Sequence, residues 1–169
     1  RAERFVFSEP LYSLEPLKLL VDPDQMPLIR SAVEDGRANL SLLALQQRVS
    51  VGIPQGFTFE EHLVPGISAI LSSPRTESGA ITKVMLNLLE NRRLDAVIIY
   101  PAFIRYYQEM GTLTREFTQL DIAGVSAFPL RVACTKTQIG HDVVKHVNEL
   151  LKNPANTKAL RAYYERWLN

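Results

Sequence analysis

The run Leu94–Tyr100 (LDAVIIY) constrains the fold more than any other stretch of this chain. Past Asp95 it is apolar at every position, without the alternation of a strand that faces water on one side. A strand of this kind is buried on both faces, as a central strand of a parallel sheet is when helices cover both sides. Pro101 follows directly and suits the first turn of a helix, expected over 101–110. Shorter apolar or β-branched runs place further strands at Leu17–Val21, Val49–Ile53, Ile67–Leu71, Phe117–Ile122 and Leu130–Thr135. Apolar residues at helical spacing predict helices over Met26–Glu34, Leu40–Gln46, Ser78–Glu90, Gln138–Lys152 and Asn156–Leu168, and another from about Thr58. Ser72–Ser78 reads as a polar loop. Alternating strands and helices specify an α/β fold, with an open, mostly parallel sheet and helices on both faces. The runs Val49–Ile53, Leu94–Tyr100 and Leu130–Thr135 are expected in that one sheet.

The chain has 169 residues, enough to bury a sizeable core, and its 46% hydrophobic content excludes a disordered segment. The formal net charge of +1 gives no electrostatic case for nucleic acid or an anionic membrane. No apolar run approaches the ~18 residues that span a bilayer, so direct membrane insertion is not expected. The single cysteine, Cys134, lies in an apolar run and reads as a buried structural thiol. His62, His141 and His146 lack metal-ligand spacing, and no zinc motif, nucleophile elbow or phosphate-binding loop is found. No catalytic residue, metal or cofactor is therefore assigned, and an enzyme is not expected.

Two places can hold a ligand. Val49–Glu60 (VSVGIPQGFTFE) reads as strand, glycine turn and helix start. Unpaired amides at a helix N-terminus attract anions, and the Thr58 hydroxyl can add to them. The same pattern also suits ordinary N-capping. Tyr100, at the carboxyl end of the central strand, stands where open α/β sheets place ligands. Asp95 suits the capping of a neighbouring turn or exposure to solvent. Arg30, Arg37, Arg92 and Arg93 read as solvated charges, Tyr106 and Tyr107 as packing or surface residues, and Tyr163, Tyr164 and Trp167 as packing anchors.

The first twelve residues, RAERFVFSEPLY, carry an arginine six and seven residues before Phe7-Ser8, then Pro10 and Tyr12. The segment resembles the crossover of bacterial extracytoplasmic solute-binding proteins of the amino-acid-receptor type, the two-lobed "Venus flytrap" receptors of ABC importers. Leu94-Asp95-Ala96 and the closing stretch LRVACTKTQIG with its two following helices resemble the same family. The resemblance implies a periplasmic-binding-protein type II lobe. It divides the chain into residues 1–135, a second lobe including the crossover at 1–12, and residues 136–169, helices that return to a first lobe mostly missing from the sequence. About a hundred residues normally precede such a crossover. The implied function is binding of a small organic solute, carboxylate-bearing and anionic, in the periplasm. The implied partner is an ABC-type membrane permease or a membrane sensor.

The resemblance also implies that Arg1 clamps a ligand carboxylate, with Gln55, Gly56, Phe57 and Thr58 forming a second patch. The acid that pairs with a ligand ammonium in amino-acid receptors falls at Tyr100, where a phenol offers only a neutral hydrogen bond or a ring face. The anion-binding half therefore carries over and the amine-binding half does not. The alternative reading is the effector-binding domain of a LysR-type transcription regulator, which has the same two-lobed architecture but lacks the Phe-Ser-x-Pro pattern.

Overall fold

The computed structural model describes residues 4–46, 48–55 and 59–166. In chain order the elements are β1 (Phe5–Phe7), β2 (Tyr12–Leu14), β3 (Lys18–Val21), α1 (Met26–Ile29), β4 (Val33–Glu34), β5 (Arg37–Ala38), α2 (Leu40–Ala44), β6 (Val51–Ile53), α3 (Ile67–Leu71), β7 (Thr76–Ser78), α4 (Thr82–Glu90), β8 (Ala96–Ile99), α5 (Pro101–Glu109), β9 (Thr118–Ile122), β10 (Phe128–Leu130), β11 (Ala133–Thr135), α6 (Gln138–Leu151) and α7 (Pro154–Glu165). They fall into two compact units, one from Pro16–Ser126 and one from Arg1–Glu15 with Ala127–Asn169.

The first of these units is built on seven described strands in the order β4-β5-β9-β3-β8-β6-β7. β6 runs parallel to β7 and β8, and β5 runs parallel to β9. β3 is antiparallel to both β8 and β9, and β4 is antiparallel to β5. Five of the seven strands thus share one direction, with β3 and β4 reversed. Side chains alternate across this sheet, as the pleat requires. Leu19, Val21, Val51, Ile53, Ala96 and Ile98 pack on one face with Ile29 of α1, Leu40 and Leu43 of α2, and Ile67 and Ile70 of α3. Leu20, Val97 and Ile99 pack on the other with Met85, Leu86 and Leu89 of α4 and Ile104 of α5. Helices cover both faces, and the LDAVIIY run is apolar past Asp95 because β8 is buried on both.

Gly52 has a steric reason to be glycine. A Cβ there would lie 2.7 Å from Leu94 Cδ1 and 3.3 Å from Met85 Sδ. The missing side chain lets Leu94 and Met85 close over β6.

Several local expectations are corrected. Met26–Glu34 is not one helix: α1 is followed by a 3-10 turn at Arg30–Ala32 and then by β4. Asp35 (φ 48) and Gly36 (φ 75) form a left-handed Asp-Gly turn joining β4 to β5. Ile67–Leu71 is a helix, not a strand, because Ile67 and Ile70 are buried three residues apart on one face. Thr76–Ser78 is an edge strand beside β6, and its mostly exposed Thr-Glu-Ser sequence gives no apolar signal. Leu130–Thr135 does not join the seven-stranded sheet.

In the second unit that stretch splits instead. β10 pairs antiparallel with β2, and β11 pairs antiparallel with β1. α6 starts after Thr137, whose hydroxyl caps Gly140 N at 3.1 Å. Gly140 lies so close to β11 that a Cβ would stand 1.9 Å from Thr135 O. Tyr164 stacks on Tyr12, ring centroids 4.8 Å apart, and its hydroxyl accepts a hydrogen bond from Glu15 N at 2.8 Å. Tyr163 is 74% exposed rather than a packing anchor, and Trp167 lies outside the described residues. Cys134 is half-buried, not fully buried as its apolar run suggested.

Candidate functional site at the carboxyl edge of the sheet

β6 and β8 are parallel neighbours, with Val51 opposite Ala96 and Gly52 opposite Val97. Continued past both strand ends, that register sets Gln55 in the row of Tyr100. Gln55 is exposed, and its amide donates to Ala80 O at 2.7 Å, which holds the turn against the segment entering α4. Tyr100 is the N-cap residue of α5, with extended backbone (φ −77, ψ 140) that turns the chain into Pro101. Its ring packs against the cluster on the α1–α3 face and is half-buried. Burial pushes the phenol pKa up, so Tyr100 stays neutral and offers a hydroxyl and a ring face rather than a charge.

Of the other expected site residues, Arg1, Gly56, Phe57 and Thr58 lie outside the described residues. The helix expected from about Thr58 is not found over 59–66; helix begins only at Ile67. Its first amides are already satisfied. Glu61 accepts from Gly66 N at 2.6 Å and from Ser68 N at 2.9 Å. Those bonds, the Ser68 amide first, hold the Glu61 carboxyl below its usual range. The Glu61 carboxylate takes the place an anion would occupy at α3.

Asp95 is structural. Its carboxylate accepts from Ser50 N and Ser50 Oγ, both at 2.7 Å, and ties the start of β8 to the start of β6. Arg92 is not simply solvated, because it pairs with Asp24 at 2.6 Å and approaches fully buried Asp22 at 3.7 Å. Arg115 Nη2 donates to both carboxylate oxygens of Asp22, at 2.9 and 3.0 Å. These pairs stand at the far ends of β3 and β8 from Tyr100 and hold the sheet rather than a ligand. Tyr106 and Tyr107 meet edge to face at 5.0 Å, and Tyr107 packs into the α4–α5 side of the core. Among the described residues no group of three or more His, Cys, Asp or Glu side chains could hold a metal, and no helix is long and apolar enough to cross a membrane.

The sequence reading missed one charged pair at the edge. β3 runs against its neighbours, so its first residue, Lys18, shares an end of the sheet with Ile99 and Asp121. Lys18 Nζ pairs with Asp121, and that bond, above all, holds the Asp121 carboxyl below its usual range. The two residues lie far apart in the chain, and an opposite-charge pair across a ladder shows itself only once the strands are registered.

No family model matches the sequence, and no curated protein matches it. Solved structures do match the fold. An amino acid ABC transporter substrate-binding protein from Streptococcus pneumoniae, bound to L-arginine, is 17% identical at a TM-score of 0.66, covering 99% of this chain and 62% of that one. The arginine-, lysine-, histidine-binding protein ArtJ from Geobacillus stearothermophilus is 19% identical at 0.65, with 99% and 64% covered. The ancestral amino-acid-binding protein AncCDT-1, a precursor of cyclohexadienyl dehydratase, is 18% identical at 0.63, with 100% and 64% covered. This chain has the periplasmic-binding-protein type II fold. It spans a little under two thirds of the length of these solute-binding proteins.

Proposed function

We propose that this chain is the second lobe and return segment of a two-lobed extracytoplasmic receptor that binds a small organic solute. The observation that carries the reading is the carboxyl edge of the sheet. There the parallel neighbours β6 and β8 run on into Gln55 and Tyr100, on a fold shared with amino-acid-binding solute receptors. Ligands of open α/β folds bind outside the carboxyl ends of the strands. The residues assigned to the ligand are Arg1, Gln55, Gly56, Phe57, Thr58 and Tyr100. Arg1 supplies the charge for a ligand carboxylate. With Gly66 N and Ser68 N at the start of α3 taken by Glu61, the anion depends on that guanidinium and on Gly56, Phe57 and Thr58. Neutral Tyr100 provides no charged partner for an ammonium group, which favours an anionic carboxylate over a zwitterionic amino acid.

In this reading the receptor works in the periplasm and delivers its ligand to an ABC-type permease or presents it to a membrane sensor. The matched structures named above are solute-binding proteins, and this favours a receptor over the effector domain of a LysR-type regulator. One similar protein is the precursor of a dehydratase, but no described residue of this chain is assigned a catalytic role. Calorimetric screening of the full-length protein against organic acids and amino acids tests the proposal. Saturable binding of a small carboxylate is expected, and the absence of binding to either class would refute it.

A further inference from the structure

Both passages of the chain between its two units run through one antiparallel ribbon. The outgoing strands are β1 and β2 and the returning strands β10 and β11, and the chain leaves this unit after Glu15 and re-enters it at Ala127. The ribbon is interrupted. Between the pair Phe7–Ala133 and the pair Tyr12–Leu130, the outgoing side carries Ser8 to Leu11 while the returning side carries only Arg131 and Val132. Two surplus residues, Glu9 and Pro10, must bulge there, and a bulge leaves backbone groups without ladder partners.

The interruption is closed by specific bonds. Ser8 N donates to Val132 O at 2.9 Å, and Leu11 N to Leu130 O at 2.8 Å. Val132 N finds no ladder carbonyl and donates instead to Ser8 Oγ at 3.0 Å, while that hydroxyl donates to Glu9 O at 2.7 Å. Glu9 N is taken by Asn148 Oδ1 of α6 at 2.8 Å. Ser8 O accepts from Arg131 Nη1 at 2.7 Å. Ser8 is buried at 1% exposure, whereas Arg131 is exposed and reaches across the gap.

We propose that Arg131 is a positioning residue for ligand binding: with the Ser8 hydroxyl it locks the break in the crossover ribbon, and this lock sets the stiffness of the ribbon and thereby the ligand affinity. The proposal rests on the receptor reading. Bonds made by side chains can open without dissolving the flanking ladders, so bending concentrates at this break. The guanidinium–carbonyl bond is charge-assisted and stronger than a neutral one. A receptor whose crossover is already ordered loses less freedom when the ligand binds.

The test compares wild type, R131A and R131K by two readouts. Arg131 is exposed, so neither variant should prevent folding. Amide exchange in the full chain should speed up about tenfold at Val132 and Leu11 in R131A, with Val97 of β8 unchanged and R131K between the two. In the full-length receptor, R131A should weaken binding of the small carboxylate that saturates the wild type in the calorimetric screen about three- to tenfold, with R131K partly restoring it. Wild-type exchange at Val132, an equal change at Val97, or an unaltered affinity overturns the lock. If the wild-type receptor binds no ligand at all, the receptor reading fails, and the exchange pattern still decides whether Arg131 locks the break.

Discussion

Asp95 and Glu61 show how a single carboxylate fixes local structure here, and each allows a test. Asp95 binds both polar groups of Ser50 at 2.7 Å, joining the starts of two core strands. Asp95→Ala would leave the half-buried Ser50 amide without its acceptor. An unfolding free energy lower by about 1–3 kcal/mol is expected, read from the urea midpoint. An unchanged midpoint would show that water replaces the carboxylate. Glu61 holds two amides at the start of α3, and its pKa is depressed, the Ser68 amide being the largest cause. A depressed acid contributes stability above its unfolded pKa and loses it as pH falls through the folded value. The contribution of Glu61 should therefore be present at neutral pH and fade below the ordinary glutamate value of about 4.3. Glu61→Gln should remove that part of the acid-side slope, measured as amide exchange at Ser68 against pH. An identical pH profile in the variant would contradict the assignment.

Among the elements, what the sequence made legible follows from how locally each was determined. β8 was readable because burial on both faces leaves an unbroken apolar run, and α6 because Thr137 caps it and its apolar residues keep helical spacing. The five residues Ile67–Leu71 are too short for periodicity to separate a strand from a helix, and packing of Ile67 and Ile70 decided the matter. Asp35-Gly36 fits a helix stop and a hairpin turn equally as a dipeptide; pairing of Val33 with Ala38 selects the hairpin. β7 was invisible because an exposed edge strand needs no apolar residues. β10 and β11 were assigned to the wrong sheet because their partners, β2 and β1, lie more than a hundred residues earlier in the chain. The Lys18–Asp121 pair was missed for the same reason, since only the ladder brings them together. Gly140 gives the test at this level. A methyl group there would overlap Thr135 O, so Gly140→Ala should separate α6 from β11. Amide protection is expected to fall in α6 and β11 while β8 keeps its own, because the two lie in different compact units. Full protection in α6 would mean that the backbone yields at little cost.

For the molecule as a whole, the proposed receptor function puts Tyr100, a neutral phenol, where the family resemblance implies the acid that pairs with a ligand ammonium. Removing the charge partner of a desolvated amine costs several kcal/mol, about a hundredfold or more in affinity. The sequence made the fold and the order of the crossover, central strand and closing helices legible. The helix expected from about Thr58 is absent over 59–66, where Glu61 and the Pro65-Gly66 turn lead into α3 at Ile67. The most direct measurement is calorimetric titration of the full-length protein with an amino acid and with the same carboxylate lacking its amine, in wild type and in Tyr100→Asp. Wild type is expected to prefer the carboxylate, and the variant to shift the preference toward the amino acid by tenfold or more, about 1.4 kcal/mol. Tight wild-type binding of the amino acid with no competition from the carboxylate, or a preference that Tyr100→Asp leaves unchanged, would contradict it.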